Sequence, residues 1–335
     1  MFDRRWIPGR LLLSVVLFLA LIGCRQETSE TTSDDQPTVY LIVKATESEF
    51  WQIVMKGAQH KAEELGIHLI VQAPVTEADL TKQIAIFESA VSAQPDAIVV
   101  APTVSDSLVP ALENAAAQQL PVIVIDSAVN TEEYVSFLAS DNVEIGRIAA
   151  HKMAEALTVR HGKPQGKIVC VHFMSGVGSL EERKKGFLET LASDYPGIEI
   201  IDRQDAQGKQ GTSLNIVQNF LTAHPDLDGI FASNQNTGDE TVRALDMQGK
   251  KDLAVVVVDA GPQEVWGLEN GYVHAVVVQK PWSMGAMGVE YALRAIRGDK
   301  LEKFIDTGVT GITPDMVTSG AAEEFLDPLA FYGQK

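Results

Sequence analysis

Along residues 39–309, short runs of almost wholly apolar residues alternate with longer stretches whose apolar positions recur every three or four residues. The run 39–43 is rich in β-branched residues and predicts a strand. Behind it Trp51, Val54, Met55, Ala58, Ala62 and Leu65 share one helical face, with Gly66 as a stop signal. Strands at 68–72, 97–101 and 122–125 follow, separated by helices at 78–93 and 107–118. A second series has helices at 143–157, 180–192, 213–223 and 237–247, with strands at 167–173, 198–201, 229–232 and 254–258. A strand at 271–279, a helix at 284–296 and a strand at 304–309 close the pattern, leaving the C-terminus free to return to either half. Nearly continuous apolar strands between amphipathic helices are what a parallel sheet covered on both faces requires. The predicted fold class is α/β, with two doubly wound parallel-sheet lobes.

The first residues break this pattern. Arg4, Arg5 and Arg10 precede an apolar run at 11–22, the arrangement of an export signal. The run is short for a membrane span, which needs roughly 20 apolar residues, and no later segment is long and uncharged enough. It ends in Leu21-Ile22-Gly23-Cys24, which resembles the lipobox of bacterial lipoproteins and makes Cys24 the expected lipidation site. Acyl chains contribute about 0.8 kcal/mol per buried CH₂, so several tether firmly. Polar residues dominate 24–37 and predict a flexible stalk. The expected order is a signal at 1–23, a lipidated stalk at 24–37, a first lobe from 38–140 plus 281–309, and a second lobe from 141–280 plus 310–335. The mature protein would then lie outside the cytoplasmic membrane, anchored to it by lipid.

Of the 335 residues about 300 remain after the signal, enough for two lobes of ordinary size. The formal net charge of −18 becomes −20 once three Arg and one Asp leave with the signal. An acidic chain without clustered Lys and Arg is a poor partner for nucleic acid. With Cys24 lipidated, Cys170 has no internal partner, and its place in an apolar strand predicts a buried small hydrophobe.

In open α/β sheets ligands sit beyond the carboxyl ends of the strands. The residues there include Asp126, Asp259, Asn234, Gln279, Arg183, Phe50 and Trp51. That set suits a sugar, whose hydroxyls both donate and accept hydrogen bonds and whose C–H faces stack on aromatic rings. The sequence resembles the periplasmic sugar-binding proteins of the ribose and galactose type across residues 38 to about 310. The resemblance rests on Glu49-Phe50-Trp51 before Gly57-Ala58, on Ala139-Ser140-Asp141-Asn142 before Gly146, and on Arg183 before Gly186-Phe187. It rests also on the run Leu221 to Asp226, on Asn234, on Asp259 after an apolar strand, and on Gln279 before Gly285.

The resemblance implies that Phe50 and Trp51 sandwich a sugar ring, with core packing as the alternative for Trp51. It implies that Asp126 and Asp259 take hydroxyl hydrogens and that Asn234, Gln279 and Arg183 supply donors, though Arg183 could instead pair with the two acids before it. It further implies a three-segment hinge, matched at 140–142, 279–281 and 310–314. Departures are Ala101 where ribose binders tend to carry asparagine, Ser127 where an arginine often follows the first aspartate, and a lost aromatic near Gly208. Ser48 falls where the family commonly has a ligand-contacting asparagine. Lys44 stands where the family often has a small residue; it is read as a solvated lysine at the lip, with Glu47 either solvated or its ion-pair partner, or else as a ligand contact. The candidate ligand residues are thus Lys44, Ser48, Phe50, Trp51, Asp126, Ser127, Arg183, Asn234, Asp259 and Gln279.

Enzyme signatures are missing: there is no G-x-S-x-G, H-E-x-x-H, C-x-x-C or P-loop, and the seven histidines form no ligand-spaced group. Gly176-Val177-Gly178 opens like a dinucleotide loop, but Glu181 occupies the third glycine position. No cofactor or metal is expected. The reading is a monomeric, non-enzymatic binding protein that hands a small ligand, a sugar, to the membrane permease of an ABC importer. The alternative is a receptor subunit presenting a sugar or furanose-type signal to a sensor kinase or chemoreceptor.

Overall fold

A computed structural model describes residues 36–333; the expected export signal, the lipidation of Cys24 and the stalk up to residue 35 lie outside them. The chain from residue 36 onward forms one compact unit of its own. Its first lobe begins with β1 (Thr38–Ile42), α1 (Glu49–Leu65), β2 (His68–Gln72), α2 (Leu80–Ser92), β3 (Ala97–Val100), α3 (Val109–Ala117), β4 (Val122–Ile125) and β5 (Ser136–Ala139). The second lobe holds α4 (Asn142–His161), β6 (Gly166–His172), α5 (Gly178–Asp194), β7 (Ile198–Asp205), α6 (Thr212–Ala223), β8 (Gly229–Ala232), α7 (Gln235–Gln248), β9 (Ala254–Val258), α8 (Pro262–Glu269) and β10 (Ala275–Val278). The chain then returns to the first lobe with α9 (Pro281–Ile296) and β11 (Phe304–Asp306), and crosses back with β12 (Thr310–Ile312), α10 (Pro314–Thr318), α11 (Glu323–Leu326) and α12 (Pro328–Gly333).

Each lobe is built on a six-stranded sheet, ordered β11-β5-β4-β3-β1-β2 in the first and β12-β10-β9-β8-β6-β7 in the second. All pairings are parallel except β10 with β12. Strands β3, β4, β8, β9 and β10 are buried at every residue, as the unbroken apolar runs require.

Several features differ from the sequence pattern, and four of them have a local cause. Strand β5 is only four residues long and begins with a serine, so it carries little apolar signal; Ser136 Oγ donates to the Glu302 carbonyl at 2.8 Å. The strand expected at 271–279 contracts to 275–278 because Tyr272 and Val273 donate their backbone N–H groups to Gly267 O, closing α8. The third lobe crossing lies at 307–309, ahead of the expected 310–314, because Thr310 to Ile312 already pair with β10. Finally, residues 310–335 were expected in the second lobe, but α12 returns to the first, where Tyr332 stacks on Trp282 of α9 with centroids 5.1 Å apart and planes 9° from parallel. Trp282 offers an aromatic face that this contact covers.

The two lobes use one device to place their first helices. In the first, α1 crosses α9 so closely that a Cβ on Gly57 would overlap the Trp282 carbonyl, and one on Gly285 the Val54 carbonyl. In the second, α4 crosses α5 so that a Cβ on Gly146 would overlap the Arg183 carbonyl, and one on Gly186 the Val143 carbonyl. Glycine is therefore demanded by close backbone approach. These contacts hold the first turn of α1, with Phe50 and Trp51, and the second turn of α5, with Arg183, over the strand ends.

Candidate ligand-binding cleft

The strand ends of both lobes converge on one small, partly open cleft. Nine of the ten candidate residues line it; Ser127 sits behind the wall. In the first lobe Lys44 follows β1 and Asp126 follows β4. Lys44 Nζ donates to Asp126 Oδ2 and to Ser127 Oγ, both at 2.6 Å, and stands 5.4 Å from the centroid of the Trp51 ring. The reading of Lys44 as a solvated lysine at the lip is therefore corrected: it is 2% exposed and its ion-pair partner is Asp126. An ammonium so desolvated needs its counterion, and Asp126 is the carboxylate within reach. Ser127 is fully buried and ties this pair to the other lobe by donating to Ser179 Oγ at 2.9 Å.

The aromatic pair does not form a sandwich by itself. Phe50 and Trp51 are both buried, but their rings stand 80° apart with centroids separated by 5.0 Å, which leaves no room for a sugar ring between them. They can contact a ligand from one side only. Trp51 Nε1 donates to Glu77 Oε1 at 2.8 Å. Glu77 is a buried carboxyl outside the candidate set; it lies five residues beyond the end of β2. Burial pushes its pKa up, and the Lys44 charge and the Trp51 bond hold it back.

In the second lobe Arg183 turns away from the two acids before it. Its Nε donates to Asn142 Oδ1 at 2.8 Å, its Nη1 to the Ser233 carbonyl at 3.1 Å, and it lies 3.7 Å from Asp259 Oδ2. Glu181 pairs with Lys184 instead. Gln279 Nε2 donates to Asp259 Oδ1 at 2.8 Å, leaving Gln279 Oε1 buried without a partner among the described residues. Burial pushes the Asp259 carboxyl up, with Arg183 and Gln279 opposing. Asn234 does two things at once, lining the cavity while its Oδ1 accepts from Thr237 N at 3.2 Å to cap α7. Besides Glu77, the cleft is lined by Ser179, Gln235 and Asn236, which the candidate set omits although all three lie at the strand tips, Ser179 ahead of Arg183 and the other two directly after Asn234. The loop after β3, where Ala101 replaces a family asparagine, is tied back to α2: Gln83 Nε2 donates to Ala101 O and Gln83 Oε1 accepts from Thr103 N.

Residues 39–300 match the family model described as periplasmic binding protein domain. The chain belongs to that family. It has the type I architecture of periplasmic sugar-binding proteins, two α/β lobes with mainly parallel sheets. It is 30% identical over 265 residues to the ribose import binding protein of Escherichia coli K12, covering 79% of this chain and 86% of that one. Among solved structures it is similar to a carbohydrate transporter solute-binding protein from Agrobacterium radiobacter in complex with D-arabinose. There the TM-score is 0.86 at 34% identity, covering 88% of this chain and all of the other. A solute-binding protein from Agrobacterium vitis with bound D-fucose gives a TM-score of 0.81 at 33% identity, over 86% and 99% of the two chains.

Against this family background Lys44 explains a departure. Ser127 stands where the resemblance implies an arginine, and the cation beside Asp126 comes instead from the end of β1. Among the described residues no helix is long and apolar enough to cross a membrane, and no group of three or more His, Cys, Asp or Glu side chains could hold a metal ion.

Proposed function

We propose that this protein is an extracytoplasmic, lipid-anchored solute-binding protein, monomeric, that captures a monosaccharide-like ligand between its lobes and delivers it to an ABC-type permease. The carrying observation is the cleft itself: polar groups from both lobes surround one small space, and Gln279, one of its lining residues, has its amide oxygen buried without a partner among the described residues. A buried acceptor without a donor costs about 1–3 kcal/mol, which a ligand hydroxyl would recover. Asp259, Arg183 and Asn234 line the same space, and the Phe50–Trp51 edge supplies apolar surface for C–H faces.

No bond needs to be made or broken. A ligand held by both lobes stabilises the closed arrangement by its differential affinity, and the three crossings at 140–141, 279–280 and 307–309 are short enough to act as hinges. That the curated relative imports ribose, and that the solved relatives hold D-arabinose and D-fucose, supports a pentose or a deoxyhexose over a large glycan.

The test is thermal denaturation of residues 36–335, refolded to strip bound ligand, against pentoses, hexoses, polyols, sugar acids and sugar phosphates. A ligand present at 1,000 times its dissociation constant stabilises by about 4 kcal/mol and raises the midpoint visibly. The shift should vanish in Asp259→Ala and Trp51→Ala. A well-folded protein whose midpoint no member of the panel moves would remove the sugar reading. Anchoring is tested separately, by fatty-acid labelling of the full chain that disappears in Cys24→Ser.

A further inference from the structure

Gln235 opens α7 in the second lobe and is buried, yet its side chain serves the first lobe. Its Oε1 accepts from Ser48 Oγ at 3.0 Å and from the backbone N–H of Phe50 at 3.0 Å. Ser48 is the N-cap residue of α1, and its side chain makes no capping bond within that helix. An N-cap serine ordinarily accepts from a first-turn N–H that has no partner inside the helix. Here that acceptor comes from the opposite lobe, and the serine donates to the same oxygen. The amide's orientation follows: a backbone N–H can only donate, so Oε1 faces α1.

Two further observations mark this amide. A Cβ on Gly261, the cap of α8, would overlap Gln235 Nε2, so glycine leaves the room that the amide occupies. The amide also stands between two spaces. Together with Ser48 and Asn236, Gln235 lines both the ligand cleft and an adjoining interlobe groove.

We propose that Gln235 is a closure latch that caps α1 in trans. In the closed protein its carbonyl replaces the cap that Ser48 would otherwise make; as the lobes part, Ser48 Oγ takes over Phe50 N–H. Closure is thereby coupled to the turn that carries Phe50 and Trp51, and the closed state is populated before any ligand binds. The inference rests on the two-lobe capture reading but not on the identity of the ligand. With Ser48 able to recap the helix, opening loses about one neutral hydrogen bond, a five- to tenfold change in the closed-to-open ratio.

The experiment uses residues 36–335, refolded and free of sugar, with spin labels on cysteines replacing Glu113 of the first lobe and Glu189 of the second, both exposed. Cys170 is buried, with its thiol pushed up to about 12, and stays unlabelled. Pulsed electron–electron resonance should show a closed population in the parent. Gln235→Ala should move five- to tenfold of that ratio toward the longer distance. Gly261→Ala, which displaces the amide without removing it, should do the same. Ser48→Ala removes one bond from the closed state and the replacement cap from the open one, so it should leave the ratio within about twofold. A parent that is wholly open, or either of the first two variants matching the parent while folding normally by circular dichroism, overturns the latch. No sugar enters the measurement, so failure of the sugar panel leaves it intact.

Discussion

Asp126 and Asp259 occupy corresponding places in the two lobes, yet the lobes treat them differently. Each is the first residue after the third strand of its sheet, and each has a left-handed backbone, with φ of 67° and 71°. Each donates its N–H to the neighbouring strand, Asp126 to Leu138 O at 3.0 Å and Asp259 to Val277 O at 2.9 Å. Aspartate tolerates this conformation better than most residues, so the sheet end itself favours it there. The first lobe then neutralises its carboxylate with an ammonium at 2.6 Å. In the second lobe the cation stands 3.7 Å off and is bonded elsewhere, while the nearest donor is the neutral Gln279 amide. A repeated backbone device thus fixes where a carboxylate enters the cleft, while side chains from different elements decide its charge balance.

The largest effect should come from removing one charge in each lobe. Asp126→Asn keeps the shape and the tolerance for left-handed backbone but leaves the Lys44 ammonium buried without a counterion, which should cost about 3–5 kcal/mol. Asp259→Asn should cost under about 1 kcal/mol, since Arg183 keeps Asn142 and Ser233 and burial already opposes the Asp259 charge. Urea unfolding of the ligand-free protein at pH 7 measures both. Equal losses would break the contrast between the lobes.

Most of the scaffold was legible because buried parallel strands write an unbroken apolar run; β3, β4, β8 and β9 were each located within a residue. What escaped was held by other forces. Strand β5 owes its place to β4 and β11, not to its own four residues. The site was legible at strand tips, where backbone geometry dictates which residues face the cleft. Lys44 was misjudged because its partner lies 82 residues away and only the sheet order brings them together. Glu77 and Gln235 have no local signature: one acts through an indole N–H and the other through a helix end in the opposite lobe.

A smaller effect should follow from the segment that ties the lobes outside their hinge. Val317, Phe325 and Leu326 pack against the second-lobe core, Lys280 Nζ lies 5.7 Å from the Phe325 ring centroid, and Tyr332 stacks on Trp282 of the first lobe. Ending the chain at Leu326 removes the buried Pro328 and the stacked pair, and should lower stability by about 2 kcal/mol, from burial and an aromatic contact together. Trp282→Ala in the shortened chain should then cost less than in the full one, because their shared contact is already gone. Additive losses in calorimetry would separate the strap from the first lobe.

The smallest effect sharpens the contrast in charge balance. Behind the cleft of the second lobe Glu264 is fully buried beside Asp239, with Glu240 and Arg243 nearby, and Glu264 Oε1 and Asp239 Oδ1 each have no donor among the described residues. A proton shared between them satisfies both, and burial with the neighbouring carboxylate drives Glu264 well above the usual range. The folded protein thus keeps a proton that the unfolded chain releases near pH 4.5. Its stabilisation is complete below that pH and is lost as pH rises through the raised value. Glu264→Gln cannot ionise and still accepts from Gly261 N, which Glu264 Oε2 now binds at 3.0 Å. The variant should match the parent most closely near pH 4 and gain on it by about 1 kcal/mol or more toward pH 9, read from urea midpoints across that range. Parallel curves would mean that the second lobe holds its buried carboxyls as ions, and that the two lobes balance charge alike.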